Sequence, residues 1–188
     1  MFEKSSHLNT QYSILFPTFY KENIQSNKLT FFMDNNGIFR RVRYALDLNN
    51  STMLEIFALA EQKIENTDIK AWLKKEEDPD FVVMQDVMLA TFLNGLIIDR
   101  RGKKNGVIPV AENVLTNNLV LRKLKIALKL ESDDMLEMFE LVDRQISPHE
   151  LSAFFRNPEQ SKYRILNDQY LRYFLNGMQK KYRGSEDD

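Results

Sequence analysis

The chain has 188 residues, of which 43% are hydrophobic and 28% charged, and its formal net charge is −1. This composition is ordinary for a globular protein and argues against a broadly basic nucleic-acid binder, although a local basic face is compatible with it. The absence of cysteine excludes structural disulfides, thiolate zinc sites, iron–sulfur clusters and cysteine nucleophiles. No apolar run is long enough to cross a bilayer, so the sequence predicts a reducing, aqueous compartment, the cytoplasm.

An internal duplication organises the chain. Residues 35–102 recur without a gap, shifted by 82 positions, as residues 117–184. The copies share identical runs such as Phe92-Leu93-Asn94-Gly95 and Phe174-Leu175-Asn176-Gly177. Such a match indicates tandem repeats. We predict one module over residues 33–102, a linker over 103–114 and a second module over 115–184. Since a module of this size buries only a modest core by itself, the two are expected to pack on each other.

Two terminal segments lie outside the duplication. Residues 1–32 are rich in Asn, Ser and Thr and have poor helical periodicity. We interpret them as an extension that is either disordered or the product of a misplaced start, with Met33 as the natural first residue. Residues 185–188 form an acidic tail.

Apolar residues recur at helical spacing in four segments of each module, and no segment reads as a strand. The first helix is expected to begin near Asn35 or Asn36, either of which could cap it. For the second helix we predict a capping box, Thr52 with Glu55, and a related start at Asp134 in the other module.

The third helix is short and begins with Ser147-Pro148-His149-Glu150, a capping box with proline in the first turn; Glu65 to Asp68 is its weaker counterpart. The fourth helix is the longest, predicted over residues 80–101 and 162–183. Glycine inside a helix costs about 1 kcal/mol relative to alanine. Gly95 and Gly177 therefore predict that another helix crosses close to the backbone. Gly102 and Gly184 are expected as left-handed C-caps. The sequence predicts an all-α fold of two homologous four-helix modules.

The sequence offers little for catalysis. Its two histidines, His7 and His149, have no copies in the other module, and no HExxH, GxSxG or phosphate-binding glycine loop occurs. The duplicated polar residues are better explained as structural pairs between helices than as acid–base groups. They are Arg40, Arg122, Glu55, Glu137, Asp86 and Asp168. We expect no enzymatic activity, no metal and no cofactor.

The second and third helices of each module resemble a helix-turn-helix unit. Ile64, Ile69 and Trp72 have the usual core spacing, and Ile146, Leu151 and Phe154 repeat it. Such a unit lays its second helix in the major groove while basic groups hold phosphates. The candidate nucleic-acid contacts are Arg40, Arg41, Arg43, Lys70, Lys74, Arg122, Lys123, Lys125, Ser152 and Arg156, with Asn66, Thr67, His149 and Asn157 as further reading residues. The glycine that is usual in the turn is replaced by Lys63 in the first module and by Gln145 in the second. The alternative interpretation is that the motif is purely structural.

A protein-interaction role is the competing hypothesis. Two similar bundles side by side leave a groove between them, and an exposed tyrosine surface would suit a protein partner. The candidates are Tyr44, Tyr163, Tyr170, Tyr173 and Tyr182. The alternative is that these side chains close the interface between the modules.

Several sequence segments resemble the YehS-like family of bacterial proteins. They include Ala71-Trp72-Leu73-Lys74-Lys75-Glu76-Glu77-Asp78-Pro79 and Glu150-Leu151-Ser152-Ala153-Phe154-Phe155-Arg156. The resemblance covers Met33 to about Arg183 and implies the tandem modules, but it supplies no reaction, ligand or cofactor. We predict a cytoplasmic, non-enzymatic binding or regulatory protein, with nucleic acid as the leading ligand class and a protein-interaction adaptor as the alternative.

Overall fold

The computed structural model describes residues 33–184; the predicted extension 1–32 and tail 185–188 lie outside the described residues. The helices between these limits are α1 Asn35–Ala45, α2 Asn50–Leu59, α3 Asn66–Leu73, α4 Asp86–Arg101, α5 Asn117–Leu128, α6 Ser132–Glu140, α7 Pro148–Ala153 and α8 Asp168–Arg183, with a 3₁₀ turn at Lys104–Gly106. No strand occurs in this range, so the all-α prediction is confirmed. Within residues 33–184, none of the helices has the length and apolarity that a membrane span requires.

The repeats exchange their packing partners. The first helix of each repeat packs mainly on the last helix of the other, α1 on α8 and α5 on α4. Met33 at the start of α1 bonds to Asp168 at the start of α8, and Asp47 just after α1 pairs with Arg183 at the end of α8. The two helices are therefore parallel. Both repeats belong to one compact unit, and the 82-residue shift converts one helix pair into the other, as an approximate twofold axis requires.

The outer helices lie on this central layer of four. In the first repeat α2 packs on α4 and on the short α3, and in the second α6 packs on α8 and on α7. Aromatic rings fill the space between the layers, with Phe39 and Phe92 edge-to-face at a centroid distance of 4.8 Å. Phe139 and Phe174, 6.0 Å apart, occupy the second repeat. Edge-to-face and tilted ring pairs contribute beyond their buried area.

Two glycines allow the outer helices to approach the central layer. A Cβ atom on Gly95 would overlap the carbonyl oxygen of Ile56 in α2 and lie 2.8 Å from its carbonyl carbon. On Gly177 it would overlap the carbonyl oxygen of Met138 in α6 and lie 3.0 Å from its Cα. The predicted close helix crossing at both glycines is confirmed.

The helix starts differ from the predictions at several positions. Asp34 and Thr116 cap α1 and α5, so neither Asn35 nor Asn36 is a cap. The predicted Thr52 box is wrong because Asn49 caps α2, its side-chain oxygen accepting from the Thr52 N–H at 2.9 Å. Asp134 is likewise not a cap. It lies in the first turn of α6 and accepts from the Glu131 N–H at 2.8 Å.

Other helix ends were predicted more closely. The Ser147–Glu150 box is confirmed, with the Ser147 hydroxyl accepting from the Glu150 N–H at 3.2 Å. The fourth helices end where predicted but begin at Asp86 and Asp168, six residues late. Gly102 and Gly184 have the expected positive φ of 77° and 81°, but their ψ values of 171° and 169° are extended, so neither cap is left-handed α.

We expect Gly95→Ala or Gly177→Ala to lower the free energy of unfolding by about 3 kcal/mol, the upper end for overpacking, because the new methyl group meets backbone and not a movable side chain. Chemical denaturation measures the loss. Asp99→Ala, at an exposed position of the same α4 helix, is the matched control. Unchanged stability in both glycine variants would contradict the close crossing.

Candidate functional site

The helix starts of the central layer are tied together by two duplicated carboxylates. Asp86 accepts from Asn35 Nδ2 of its own repeat at 2.7 Å and from the Leu115 N–H, just before α5, at 2.8 Å. Asp168 accepts from Asn117 Nδ2 at 2.7 Å and from the Met33 N–H, just before α1, at 3.4 Å. Each carboxylate thus joins the start of a last helix to the starts of both first helices. Negative charge is also favourable at helix N-termini.

A second duplicated residue fixes the loop before each last helix. The Asn36 side chain is fully buried, donates to the carbonyl oxygens of Trp72 and Val82 at 2.9 Å each, and accepts from the Met84 N–H at 2.8 Å. Asn118 makes the corresponding three bonds to Phe154, Arg164 and Leu166. Because this amide holds the preceding segment extended, α4 and α8 cannot begin earlier.

The predicted basic contacts on α1 and α5 are largely engaged within the protein. Arg40 donates to the Lys74 carbonyl at 2.9 Å, and Arg122 to the Phe155 carbonyl at 2.6 Å. They bond to backbone and not to the duplicated carboxylates. Lys125 donates to the Leu130 carbonyl at 2.9 Å.

Two further cations that were predicted as nucleic-acid contacts, Lys123 and Arg41, lie between the repeats. Lys123 is only 7% exposed, bonds to Asn94 Oδ1 at 2.5 Å and pairs with Glu112 at 2.9 Å. Arg41 is half-buried and donates to Asn176 and Gln179 of α8. Burial, followed by the charges of Arg172 and Arg40, lowers the pKa of Arg41. Arg43 is half-buried, and its Nε has no hydrogen-bond partner within residues 33–184.

The residues predicted to read bases in the helix-turn-helix interpretation fall into two groups: exposed side chains, and side chains that are bonded within the protein. Lys70 and Ser152 are exposed, as are Asn66, Thr67, His149 and Asn157. Lys74 is held between Asp80 at 2.6 Å and Asp78 at 3.0 Å, and these hydrogen bonds, that to Asp80 first, raise its pKa. Arg156 donates to the Lys162 carbonyl at 3.3 Å. The supposed second helices, α3 and α7, have eight and six residues. The interpretation stays a prediction.

The remaining duplicated carboxylates have different surroundings. Glu137 pairs with Lys181 of α8 at 2.8 Å, and this bond, more than the one from Asp134, raises the pKa of Lys181. Glu55 is exposed and meets only the Ser51 hydroxyl, at 3.4 Å, within residues 33–184. In the same range, no group of three His, Cys, Asp or Glu side chains is placed to hold a metal ion.

A cleft of about 540 Å³ opens where the four central helices end. Its floor and walls consist of equivalent positions from the two repeats: Ala45 with Ala127, Leu46 with Leu128, Asp47 with Lys129, Arg100 with Tyr182, and Arg101 with Arg183. We call it the end cleft. The approximate twofold axis passes through it, so it is a site that neither repeat contains alone.

Exposed cations line this cleft or follow directly after the end of α4. We call them the basic end: Arg100, Arg101, Lys103, Lys104, Lys129 and Arg183. Arg183 pairs with Asp47 at 2.7 Å and lies over the Tyr44 ring at 5.1 Å, and Arg100 pairs with the adjacent Asp99 at 3.1 Å. The side chains of the other four make no hydrogen bond or ion pair with any residue in the range 33–184.

This surface does not follow from the local sequence pattern, in which the segment after α4 has the composition of a linker. The run Asp99-Arg100-Arg101-Gly102-Lys103-Lys104 was the available signal, since it places four cations in five residues around a helix end. From the sequence, Tyr182 is only one of five tyrosines that are candidates for a protein-interaction surface. It is 42% exposed in the end cleft, and burial of part of its side chain raises the pKa of its hydroxyl.

The fold and these sites define a class: an all-α protein made of two tandem repeats of one helical unit that share a central helix layer. The chain belongs to the family described as protein of unknown function (DUF1456), whose model matches residues 35–102 and again residues 117–184. It is 39% identical over 147 residues to the uncharacterized protein YehS of Escherichia coli (strain K12), a match that covers 78% of this chain and 94% of that relative. The resemblance to the YehS-like family is therefore confirmed. No solved structure matches the chain significantly.

The variants Asp86→Asn and Asp168→Asn test the ties at the helix starts. An amide has one oxygen where the carboxylate has two, so one of the two donors at each site is left facing an NH₂ group. We expect each variant to lose about 1–2 kcal/mol of unfolding free energy, because a hydrogen bond to a charged group is lost at a half-buried site. Denaturant titration measures the change, with Asp99→Asn as the control. Equal stability of all three variants would show that these bonds contribute nothing.

Proposed function

We propose that this protein is a non-enzymatic nucleic-acid-binding protein and that the basic end holds the phosphates. The observation that carries the proposal is the parallel direction of the four central helices, which brings cations from both repeats to one end of the molecule. Phosphate contacts supply most of the affinity of proteins for nucleic acid without regard to sequence.

The cations of the basic end are more available to a ligand than those on α1 and α5. Arg40, Arg122 and Lys125 bond to backbone carbonyls, and Lys123 is buried beside Glu112. These bonds already use part of the hydrogen-bonding capacity of the side chains. At the basic end, the side chains of Arg101 and Lys129 are exposed without a partner in the described residues, so they can meet a ligand without breaking an internal bond.

The helix dipoles weaken this positive field, since each helix C-terminus is equivalent to about half a negative charge. Among the described residues, the six cations of the basic end outnumber the two carboxylates that pair with them, Asp47 and Asp99. A chain with a net charge of −1 thus concentrates positive potential at one end.

The non-enzymatic part of the proposal rests on the duplicated carboxylates. Asp86 and Asp168 have both oxygens engaged by donors from helix starts. A general base needs an accessible lone pair close to a substrate. These two groups are used to hold helices, which supports a structural role for them.

A protein-interaction adaptor is the second candidate, and one observation favours it. Leu46 and Leu128 line the end cleft, and the equivalent residues Tyr44 and Ile126 are 40% and 46% exposed on the first helices that contribute to it. Exposed aromatic and aliphatic side chains beside arginines are typical of protein interfaces.

A salt-titrated mobility-shift assay tests the leading proposal with the triple variant Arg101→Gln, Lys103→Gln, Lys129→Gln. We expect weaker binding at every salt concentration. Affinity falls as salt rises, and the plot of log affinity against log salt should become shallower by about one unit of slope for each phosphate that the variant no longer binds. None of these three side chains has a partner within residues 33–184, so the fold should be unaffected.

The charge-matched control is Lys63→Gln, Lys75→Gln, Lys162→Gln, which removes three exposed cations elsewhere and should bind as the parent protein does. The double variant Lys70→Gln, Ser152→Ala addresses the helix-turn-helix surface. If this variant alone abolished the shift, the interface would lie on α3 and α7. Absence of any shift at low salt would refute nucleic-acid binding.

The adaptor is tested by capture from nuclease-treated lysate with parent protein and the variant Tyr44→Ser, Ile126→Ser. A partner that survives nuclease and is missing from this variant supports an apolar protein interface. The variant Arg101→Gln, Lys103→Gln, Lys129→Gln is the comparison, and partners that nuclease removes would count against the adaptor.

A further inference from the structure

We infer that the end cleft takes an unpaired nucleobase of a single-stranded nucleic acid while the surrounding cations hold the adjoining phosphates. This rests on the proposed function and makes it more specific, because it names the form of nucleic acid that the site prefers. The juxtaposition that points to it is two half-buried leucines, an exposed aromatic ring and unpaired arginine and lysine side chains that line one concave site on the twofold axis.

The size and floor of the cleft suit a single planar group. Its volume of about 540 Å³ lies within the range of small-molecule sites. The equivalent residues Leu46 and Leu128 line it from the two repeats, and both are half-buried. A flat apolar face placed there would cover their exposed parts and remove them from water.

Tyr182 supplies the stacking surface. It takes the position that Arg100 has in the other repeat, so an aromatic ring and a guanidinium lie on opposite sides of the axis in the same cleft. Bases stack on aromatic rings and on guanidinium planes alike. Arg101 and Lys129 complete the wall and are free to meet phosphates on either side of the base.

A duplex cannot use this arrangement. Its bases are paired and stacked inside the helix, so a duplex could touch only the cations around the cleft and would leave the floor and the Tyr182 ring uncovered. Duplex and single strand therefore share the phosphate contacts, and only the strand with an unpaired base gains the stacking contact.

Fluorescence anisotropy at low, fixed salt tests the inference with a 20-nucleotide DNA strand, the same sequence as RNA, and the corresponding DNA duplex. The full chain is compared with Tyr182→Ala and Tyr182→Phe. We expect the single strands to bind at least about tenfold tighter than the duplex. Tyr182→Ala should weaken single-strand binding by about 5- to 100-fold, the range for loss of one stacked base, and leave duplex binding unchanged. Tyr182→Phe, which keeps the ring, should behave as the parent protein.

A second measurement needs no variant. A strand carrying 4-thiothymidine should photocrosslink to the peptide that contains Tyr182 or to the one that contains Leu128. A crosslink confined to α3 or α7 would overturn the inference.

The outcomes separate the inference from the proposal on which it rests. Equal affinity for strand and duplex, with Tyr182→Ala silent, would overturn the single-strand inference and leave nucleic-acid binding standing. Failure of all three probes to bind would refute nucleic-acid binding itself. AMP competing as strongly as the 20-nucleotide strand would also overturn the inference, because it would assign the cleft to a free nucleotide.

Discussion

Two carboxylates, Asp86 and Asp168, hold the starts of four helices at one end of the molecule, and the rest of the architecture depends on these ties. Parallel neighbouring helices oppose one another electrostatically because their macrodipoles point the same way. The carboxylates offset this at the N-terminal end, where negative charge is favourable, and the cations of the basic end offset it at the C-terminal end. Each carboxylate also reaches the other repeat, so the same bonds that order the helix starts join the two copies.

The consequence for function is a division of the molecule along the helix axes. The N-terminal end is internally satisfied, since its amides and carboxylates bond to one another and to backbone. The C-terminal end contains cations whose side chains make no hydrogen bond or ion pair with the described residues, around a cleft that needs both repeats. Duplication also allowed the two halves to diverge within this cleft. Arg100 corresponds to Tyr182 and Asp47 to Lys129, so one unit copied twice yields a site in which an arginine is matched by a tyrosine and an aspartate by a lysine.

Much of the fold could be predicted from local pattern, and the misses have a common cause. The helical periodicity, the Ser147 box and the glycine pair Gly95 and Gly177 are local or duplicated signals, and each was interpreted correctly. Asparagine favours the cap position, so local pattern predicts caps at Asn35 and Asn36. Their amides instead bond to residues about 36 to 51 positions away. Such a partner leaves no local trace in the sequence. For the same reason the starts of α4 and α8 were predicted six residues early.

The sequence by itself determined that one helical unit was copied in tandem, because a gapless repeat needs no coordinates to be recognised. It also determined that each copy has four helices and which apolar faces they bury. Only the tertiary structure decided that α1 packs on α8 and α5 on α4, since nothing local distinguishes packing within a repeat from packing between repeats. That exchange buried Lys123 between the copies and left Arg101 and Lys129 together at the open end. Residues of like charge and similar pattern thus acquired different roles through the partners that the fold gave them.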